Sequence, residues 1–420
     1  MRLASFIFIF AFSLNTWSAG ILIPMDSTQT DHLRAYGLTY WVLQTPRVYK
    51  SEWLLNYRGG SFLIYETEDT QRKANLMGVT CLRVTDAQIA AIHQEIELNN
   101  MDVVPLEKAP KVAVYTPPNK DLWDDAVLLA LKYAQIPYDP IWDKDVLSGR
   151  LAEYDWLHLH HEDFTGQFGK FYRNFKSQAW YQEKVRLFQA AANSAGYAKV
   201  QQHKCAVAKT IREYVNQGGF LFAMCAACDT LDISLAADGV DIVERVIDGD
   251  GMTPGWNERI DFSRTFAFQN FNLVPDPMIY EFSDIDTSPS PSTPGARYQA
   301  NNFQLFDFSA KFDPVPCMLN QNHVRKIKDF WGQTTAFRKS KLKANIVVLG
   351  EFPGEGVTKY IHGVLNKGTF TFLGGHDPED SKHLVGEKDT DLSQHPNSPG
   401  YRLILNNVLF PAAKKKPRKT

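Results

Sequence analysis

The chain is short of cysteine, of net charge and of long apolar runs. Five cysteines in 420 residues (Cys81, Cys205, Cys225, Cys228, Cys317) are too few for a disulfide framework, and their odd number leaves at least one thiol unpaired. A formal net charge of −2 supplies no field that would draw nucleic acid or a membrane surface. Beyond the first twenty residues no apolar stretch is long enough to span a bilayer, so no membrane span is expected.

What is present is an ordinary globular composition, 44% hydrophobic and 22% charged, in a length that accommodates two or three domains. Aromatics reach 13%, which predicts a well-filled core. The opening "MRLASFIFIFAFSLNTWSAG" has one Arg, a short apolar run and then Ser18, Ala19 and Gly20. That layout predicts a signal peptide over 1–20 and an exported chain, periplasmic or secreted, with a mature start near Ala19, Gly20 or Ile21.

Residues 21–108 read as a small α+β domain. "LTYWVLQ" and "SEWLLNYRGGSFLIYE" are strand-like, with Gly59-Gly60 as a hairpin turn. "TDAQIAAIHQEIEL" has helical spacing, with Thr85 or Asp86 as N-cap. From 109 to 411 apolar strands alternate with amphipathic helices, which predicts an α/β unit with a mostly parallel sheet covered on both faces. Turn formers interrupt it over about 248–343, an insertion with a few strands. Residues 412–420 form a basic tail, read as solvated.

Two stretches carry chemistry. In "GGFLFAMCAACDTLD" an apolar strand ends at Met224 and a helix begins at once. Cys225 is therefore predicted on a tight turn above the carboxyl edge of the sheet, where the helix N-terminus favours thiolate and the N–H of Ala226 is placed to hold an oxyanion. Ala223 and Ala227 are the small flanks of this nucleophile elbow. In "FTFLGGHDPED" a second strand ends in Gly374-Gly375, and His376, Asp377 and Glu379 follow. A Cys needs a His to take its proton, and the His needs a carboxylate to fix its tautomer. "CAAC" also allows a thiol-disulfide pair of Cys225 and Cys228.

"LHLHHEDF" gathers His158, His160, His161, Glu162 and Asp163. Its order misses the His-x-His-x-Asp-His pattern of metallo-hydrolases, so no metal is expected there. On a strand His158 and His160 share one face and His161 takes the other. The cluster is expected to line a substrate site at the carboxyl end of the strand, with metal ligands and satisfied structural groups as the other readings. The following "TGQFGK" is a candidate source of a second oxyanion N–H.

The strand-Cys-helix of 218–235 with the late strand-Gly-Gly-His-Asp-Pro-Glu resembles class I glutamine amidotransferase-like domains. That resemblance spans about 111–247 and 344–411. It implies a doubly wound, flavodoxin-like sheet, with Cys225 as nucleophile, His376 as base and Glu379 as its carboxylate. Glu379 matches only with Asp377 as an extra residue, and alanines stand where the elbow glycines are commonest. The implied activity is Cys-dependent hydrolysis or amide transfer on a small-molecule, peptide or glycan amide, without a cofactor. The alternatives are a non-catalytic binding or scaffold protein that keeps the fold, and a thiol-disulfide enzyme. The whole chain also resembles exported bacterial proteins often labelled asparagine synthetase B. Neither the Ser-Gly-Gly-x-Asp-Ser-like pyrophosphate loop nor the N-terminal Cys of such a synthetase is present.

Overall fold

The computed structural model describes residues 19–118, 125–287, 302–321, 324–380 and 386–414. The signal-like segment before Ala19 and the tail beyond Lys414 lie outside them.

The N-terminal unit is an antiparallel sheet of β1 (Gly20–Ile23), β2 (Ser51–Leu55), β3 (Ser61–Ile64), β4 (Leu82–Val84) and β5 (Asp102–Leu106), in the order β4-β1-β3-β2-β5. The β2–β3 hairpin turns at Gly59 and Gly60, whose φ of +80° and +88° only glycine adopts freely. Thr85 and Gln88 cap the helix Asp86–Leu98 reciprocally.

"LTYWVLQ" is helix, not strand: it falls mostly within His32–Leu43, which Asp31 caps through the N–H of Arg34 at 2.9 Å. Burial explains the discrepancy. Ten of the twelve residues are buried, so no polar stripe marks the 3.6-residue period. Gly37 permits this packing, because a Cβ there would sit 1.8 Å from the Ala134 carbonyl oxygen.

The second sheet is mixed. Its strands are β6 (Val112–Tyr115), β7 (Asp139–Ile141), β8 (Trp156–Leu159), β9 (Phe220–Met224), β10 (Asn302–Leu305), β11 (Lys326–Lys328), β12 (Phe337–Arg338), β13 (Val347–Phe352), β14 (Val357–Leu365) and β15 (Gly368–Leu373). The order is β11-β10-β13-β14-β15-β9-β8-β6-β7, with β12 beside β14. From β7 to β15 the pairings are parallel, and from β15 to β11 they are antiparallel. Three strands of the insertion, β10 to β12, thus extend the main sheet.

The helix Pro399–Leu409 joins the two units. Its Arg402 donates Nη2 to the Gly59 carbonyl at 2.9 Å, and its Asn407 carbonyl accepts from Trp156 Nε1 at 3.1 Å. One apolar cluster, with Tyr36 and Trp53 at one end and Trp156 and Phe222 at the other, runs through both. Among the described residues no helix is long and apolar enough to cross a membrane. The parallel strands β8, β9 and β15 end together at Leu159, Met224 and Leu373, and everything chemical lies just beyond them.

Candidate functional site

Cys225 sits between β9 and the helix Ala227–Ala236 with φ +50°, a left-handed conformation that costs a side-chain-bearing residue about 1–3 kcal/mol. Flanking hydrogen bonds hold it there. Its N–H donates to the Gly375 carbonyl at 3.1 Å, and the next N–H but one, of Ala227, donates to the His160 carbonyl at 3.1 Å. Three strand ends are thereby tied together around one sulfur.

Cys225 is 2% exposed. Burial pushes its thiol up to about 11, against the pull of backbone N–H groups of Gln333, Ala226 and Thr334 aimed at the sulfur. Desolvation thus works against the expected thiolate and outweighs the helix terminus and the N–H groups. The Gln333 N–H lies 3.3 Å from Sγ. One helical turn on, burial holds the carboxyl of Asp229 well above the usual range, and Asp286 adds to the effect. The Asp229 Oδ1 accepts from Thr334 Oγ1 at 2.8 Å. Cys228 Sγ points back to the carbonyls of Ala223 and Leu373, at 3.4 and 3.8 Å, and no disulfide joins any two of the five cysteines.

Gln333 and Thr334 belong to the insertion, which covers the elbow. Its segment 331–335 pairs with the Gly-Gly-His run: His376 N–H donates to the Trp331 carbonyl at 2.6 Å, and Gly375 N–H to the Thr334 carbonyl at 2.8 Å. Close approach explains the glycines. A Cβ on Gly374 would lie 2.4 Å from the Thr335 oxygen, and one on Gly332 would lie 2.7 Å from the Gly375 Cα. Lys359, fully buried on β14, holds the segment at both ends by donating to the carbonyls of Phe330 at 2.7 Å and Thr335 at 2.9 Å beside Asp329. Gln333 Nε2 closes the far side on the Gly169 carbonyl at 2.6 Å.

The histidines form two layers. His158 is a core group, stacked with Trp156 and Phe222 at centroid distances of 5.9 and 5.7 Å. Its Nδ1 meets the Phe222 carbonyl at 3.1 Å, and its Nε2 lies 3.3 Å from Asp125 Oδ1. Above it His160, His161 and His376 cluster, with ring centroids 4.1 to 4.8 Å apart. Asp125 Oδ1 also lies 3.1 Å from His160 Nδ1 and accepts the N–H groups of Val127 and Leu128 at 2.8 and 3.0 Å, capping the helix Ala126–Tyr133. Burial pushes this carboxyl up, but the two histidines bring it well below its usual range.

The remaining predicted residues are distributed around this centre. Asp163 shapes the next loop: its Oδ1 accepts from Thr165 N–H at 2.7 Å and its Oδ2 from Gly169 N–H at 2.8 Å. The Glu162 carbonyl accepts from Thr230 Oγ1 at 2.7 Å. Glu379 turns to His395, 3.2 Å from its Nδ1. Asp377 is buried beside His376, and its Oδ1 accepts the Glu379 N–H at 2.8 Å. The insertion adds the N–H groups of Gln333 and Thr334 to that of Ala226 at the Cys225 sulfur.

No family model matches the chain, and no curated protein matches it. Solved structures resemble it distantly. Cytoplasmic Protein STM3548 from Salmonella typhimurium is 11% identical, with a TM-score of 0.35, covering 73% of this chain and 100% of its own. Cytoplasmic Protein STM1381 from Salmonella typhimurium LT2 is 13% identical, with a TM-score of 0.36, covering 72% and 100%. Gan42B, a GH42 beta-galactosidase from G., is 11% identical, with a TM-score of 0.27, covering 64% of this chain and 28% of its own. Such scores carry no argument about this site.

The sequence reading missed Asp125, Asp229, Gln333, Thr334 and Lys359. Asp125 had a signal, since an acid ahead of "AVLLALKY" reads as a helix cap. The insertion residues had none, because a loop's sequence does not say what it covers.

Proposed function

We propose that this chain is an exported class I glutamine amidotransferase-like protein that cleaves or transfers amide-type bonds at Cys225, with His376 as proton acceptor. The observation that carries the reading is the elbow: a cysteine at φ +50° between a parallel strand and a helix, its sulfur facing three backbone N–H groups. The parallel strand order β7-β6-β8-β9-β15 supports a doubly wound, flavodoxin-like core, in which ligands bind beyond the carboxyl ends of the strands. His376 gives the thiol proton a destination, and the thiolate then attacks the substrate carbonyl carbon. The proton passes to the departing amine, and water or an acceptor amine releases the acyl group from sulfur. When the segment 331–335 lifts, it takes the N–H groups of Gln333 and Thr334 with it, and the N–H of Ala226 stays at the elbow to receive the oxyanion.

The sealing of the elbow favours a second reading, a binding or scaffold protein that keeps the fold. Cys225→Ala, His376→Ala and Cys228→Ser separate the classes on a panel of amide, ester and disulfide substrates. The proposal expects the first two to abolish turnover and the third to spare it. Turnover lost with Cys228→Ser but kept with His376→Ala points to a thiol-disulfide enzyme. No turnover of any substrate by the wild type overturns the enzyme reading.

A further inference from the structure

We infer that His160, His161 and His376 form a binding site for one divalent transition-metal ion of the zinc, cobalt or nickel class, with Asp125 as a positioning residue. The inference does not rest on chemistry at Cys225.

One donor atom from each of the three rings lies within 4.8 Å of the others. Two come from the end of β8 and the third from the end of β15, so the set is invisible to linear spacing. His160 is the key member. Its Nδ1 lies 3.1 Å from the Asp125 carboxylate, a charge that favours the proton on Nδ1 and the lone pair on Nε2, although the contact lacks the alignment of a hydrogen bond. That Nε2 is buried and has no hydrogen-bond partner among the described residues. Native structures seldom leave a buried acceptor without a partner, and a coordination bond would supply one. Carboxylate, histidine and metal in series is the recurring way proteins orient a metal-binding imidazole. Burial also lowers the proton affinity of His160, which favours the neutral ring that binds metal.

The rival clusters fail on the same criteria. Asp125 Oδ1 already accepts two backbone N–H groups, and His158 Nδ1 faces a carbonyl. The carboxylates of Asp241, Asp248 and Asp250 surround the ammonium of Lys199, which occupies the place of a cation.

A tetrahedral site has metal–nitrogen bonds of about 2.0–2.1 Å, which puts its nitrogens roughly 3.4 Å apart. His160 and His161 now stack at an interplanar angle of 15°, so loading requires the rings to turn about their Cβ–Cγ bonds until the lone pairs converge. Three neutral imidazoles select borderline transition metals over magnesium or calcium. They leave a fourth position for water or a substrate oxygen, the arrangement of hydrolytic rather than purely structural metal sites. In the loaded protein the ligating nitrogen of His376 has no lone pair left for the Cys225 proton. Metal occupancy and thiol chemistry are therefore alternative states of one site.

The test uses tag-free full-length protein stripped with a chelator. Co²⁺ is titrated and followed by its visible ligand-field bands, and Zn²⁺ binding is measured by calorimetry. We expect one equivalent with a tetrahedral or five-coordinate Co²⁺ spectrum. His160→Ala and His161→Gln should each weaken binding at least 100-fold. Cys225→Ala should leave it unchanged. Asp125→Asn keeps a helix-capping oxygen, so the metal-free melting temperature should hold while affinity falls about 10-fold or more. Circular dichroism identifies any variant that fails to fold, and the half-buried His161 is the safer substitution. No Co²⁺ spectrum and no Zn²⁺ heat in the folded wild type overturn the inference. So does binding that survives both histidine variants. Activity is not read at any point, so failure here leaves the Cys225 reading standing, and the reverse.

Discussion

Gly332→Ala tests whether the insertion seals the elbow. A Cβ at 332 would lie 2.7 Å from the Gly375 Cα and carbonyl carbon and 2.9 Å from the His376 nitrogen. These are backbone atoms held by the hydrogen bonds of the segment 331–335, so they cannot swing aside. Overpacking of this kind costs about 1–3 kcal/mol. If the strain is relieved by lifting the segment, the opening equilibrium rises about 5- to 150-fold. Iodoacetamide labelling of Cys225 reads that equilibrium. In the closed state Cys225 is 2% exposed and burial pushes its thiol up to about 11. The closed thiol is therefore mostly protonated and shielded, and labelling must pass through the open state. The assay is peptide mapping of labelled native protein at several times. Cys205, buried and bonded to the Ser234 carbonyl at 3.5 Å, is the internal control. Cys225 should label about 5- to 150-fold faster in the variant, with Cys205 unchanged. Equal Cys225 rates in the two proteins, or a parallel rise at Cys205, refutes a local seal.

Gly37→Ala places a Cβ 1.8 Å from the Ala134 oxygen at the C-terminal end of the helix Ala126–Tyr133, and it should cost about 1–3 kcal/mol, read as a fall in melting temperature; an unchanged melting temperature refutes the close contact. Burial lowers Lys170 to about 8, while its Nζ donates to the carbonyls of Val274 and Asp276 in the insertion. The unfolded chain therefore binds this proton up to about pH 10.4 and the folded chain does not, so its contribution to stability rises with pH between about 8 and 10.4. Denaturation across that range should show a positive slope that Lys170→Met removes; parallel curves for the two proteins contradict it. Lys359→Met takes the donor from the carbonyls of Phe330 and Thr335 and leaves Asp329 without its cation, so it should cost about 3–5 kcal/mol or prevent folding, checked by chemical denaturation. A loss below about 1 kcal/mol removes Lys359 as the anchor of the cap.

Alternation of apolar runs with amphipathic helices was enough to place β6, β7, β8, β9 and β15 and the helices after β6 and β9, because a buried parallel strand and a capped amphipathic helix each leave a local signature. The elbow at Cys225 was legible for the same reason: an apolar strand stops at Met224 and a helix starts two residues on, at Ala227. The helix His32–Leu43 was misread because burial on every side removes the periodic signal. The helix Ala179–Ser194 drew no reading at all, although it packs Tyr181, Phe188 and Ala192 into a small satellite core.

The state of the site was decided by tertiary structure alone. Helix-terminus reasoning pointed to a thiolate, yet burial under the segment 331–335 raises the thiol. Linear spacing spoke against a metal in "LHLHHEDF", yet the fold brings His376 across from β15 and Asp125 up from the helix after β6. Glu379 matched the expected carboxylate in order, yet it turns to His395. Propensity, capping and strand-to-helix junctions act over a few residues, and the sequence determines them directly. Desolvation and the meeting of groups hundreds of residues apart depend on which surfaces finally cover one another, and only the folded chain decides that.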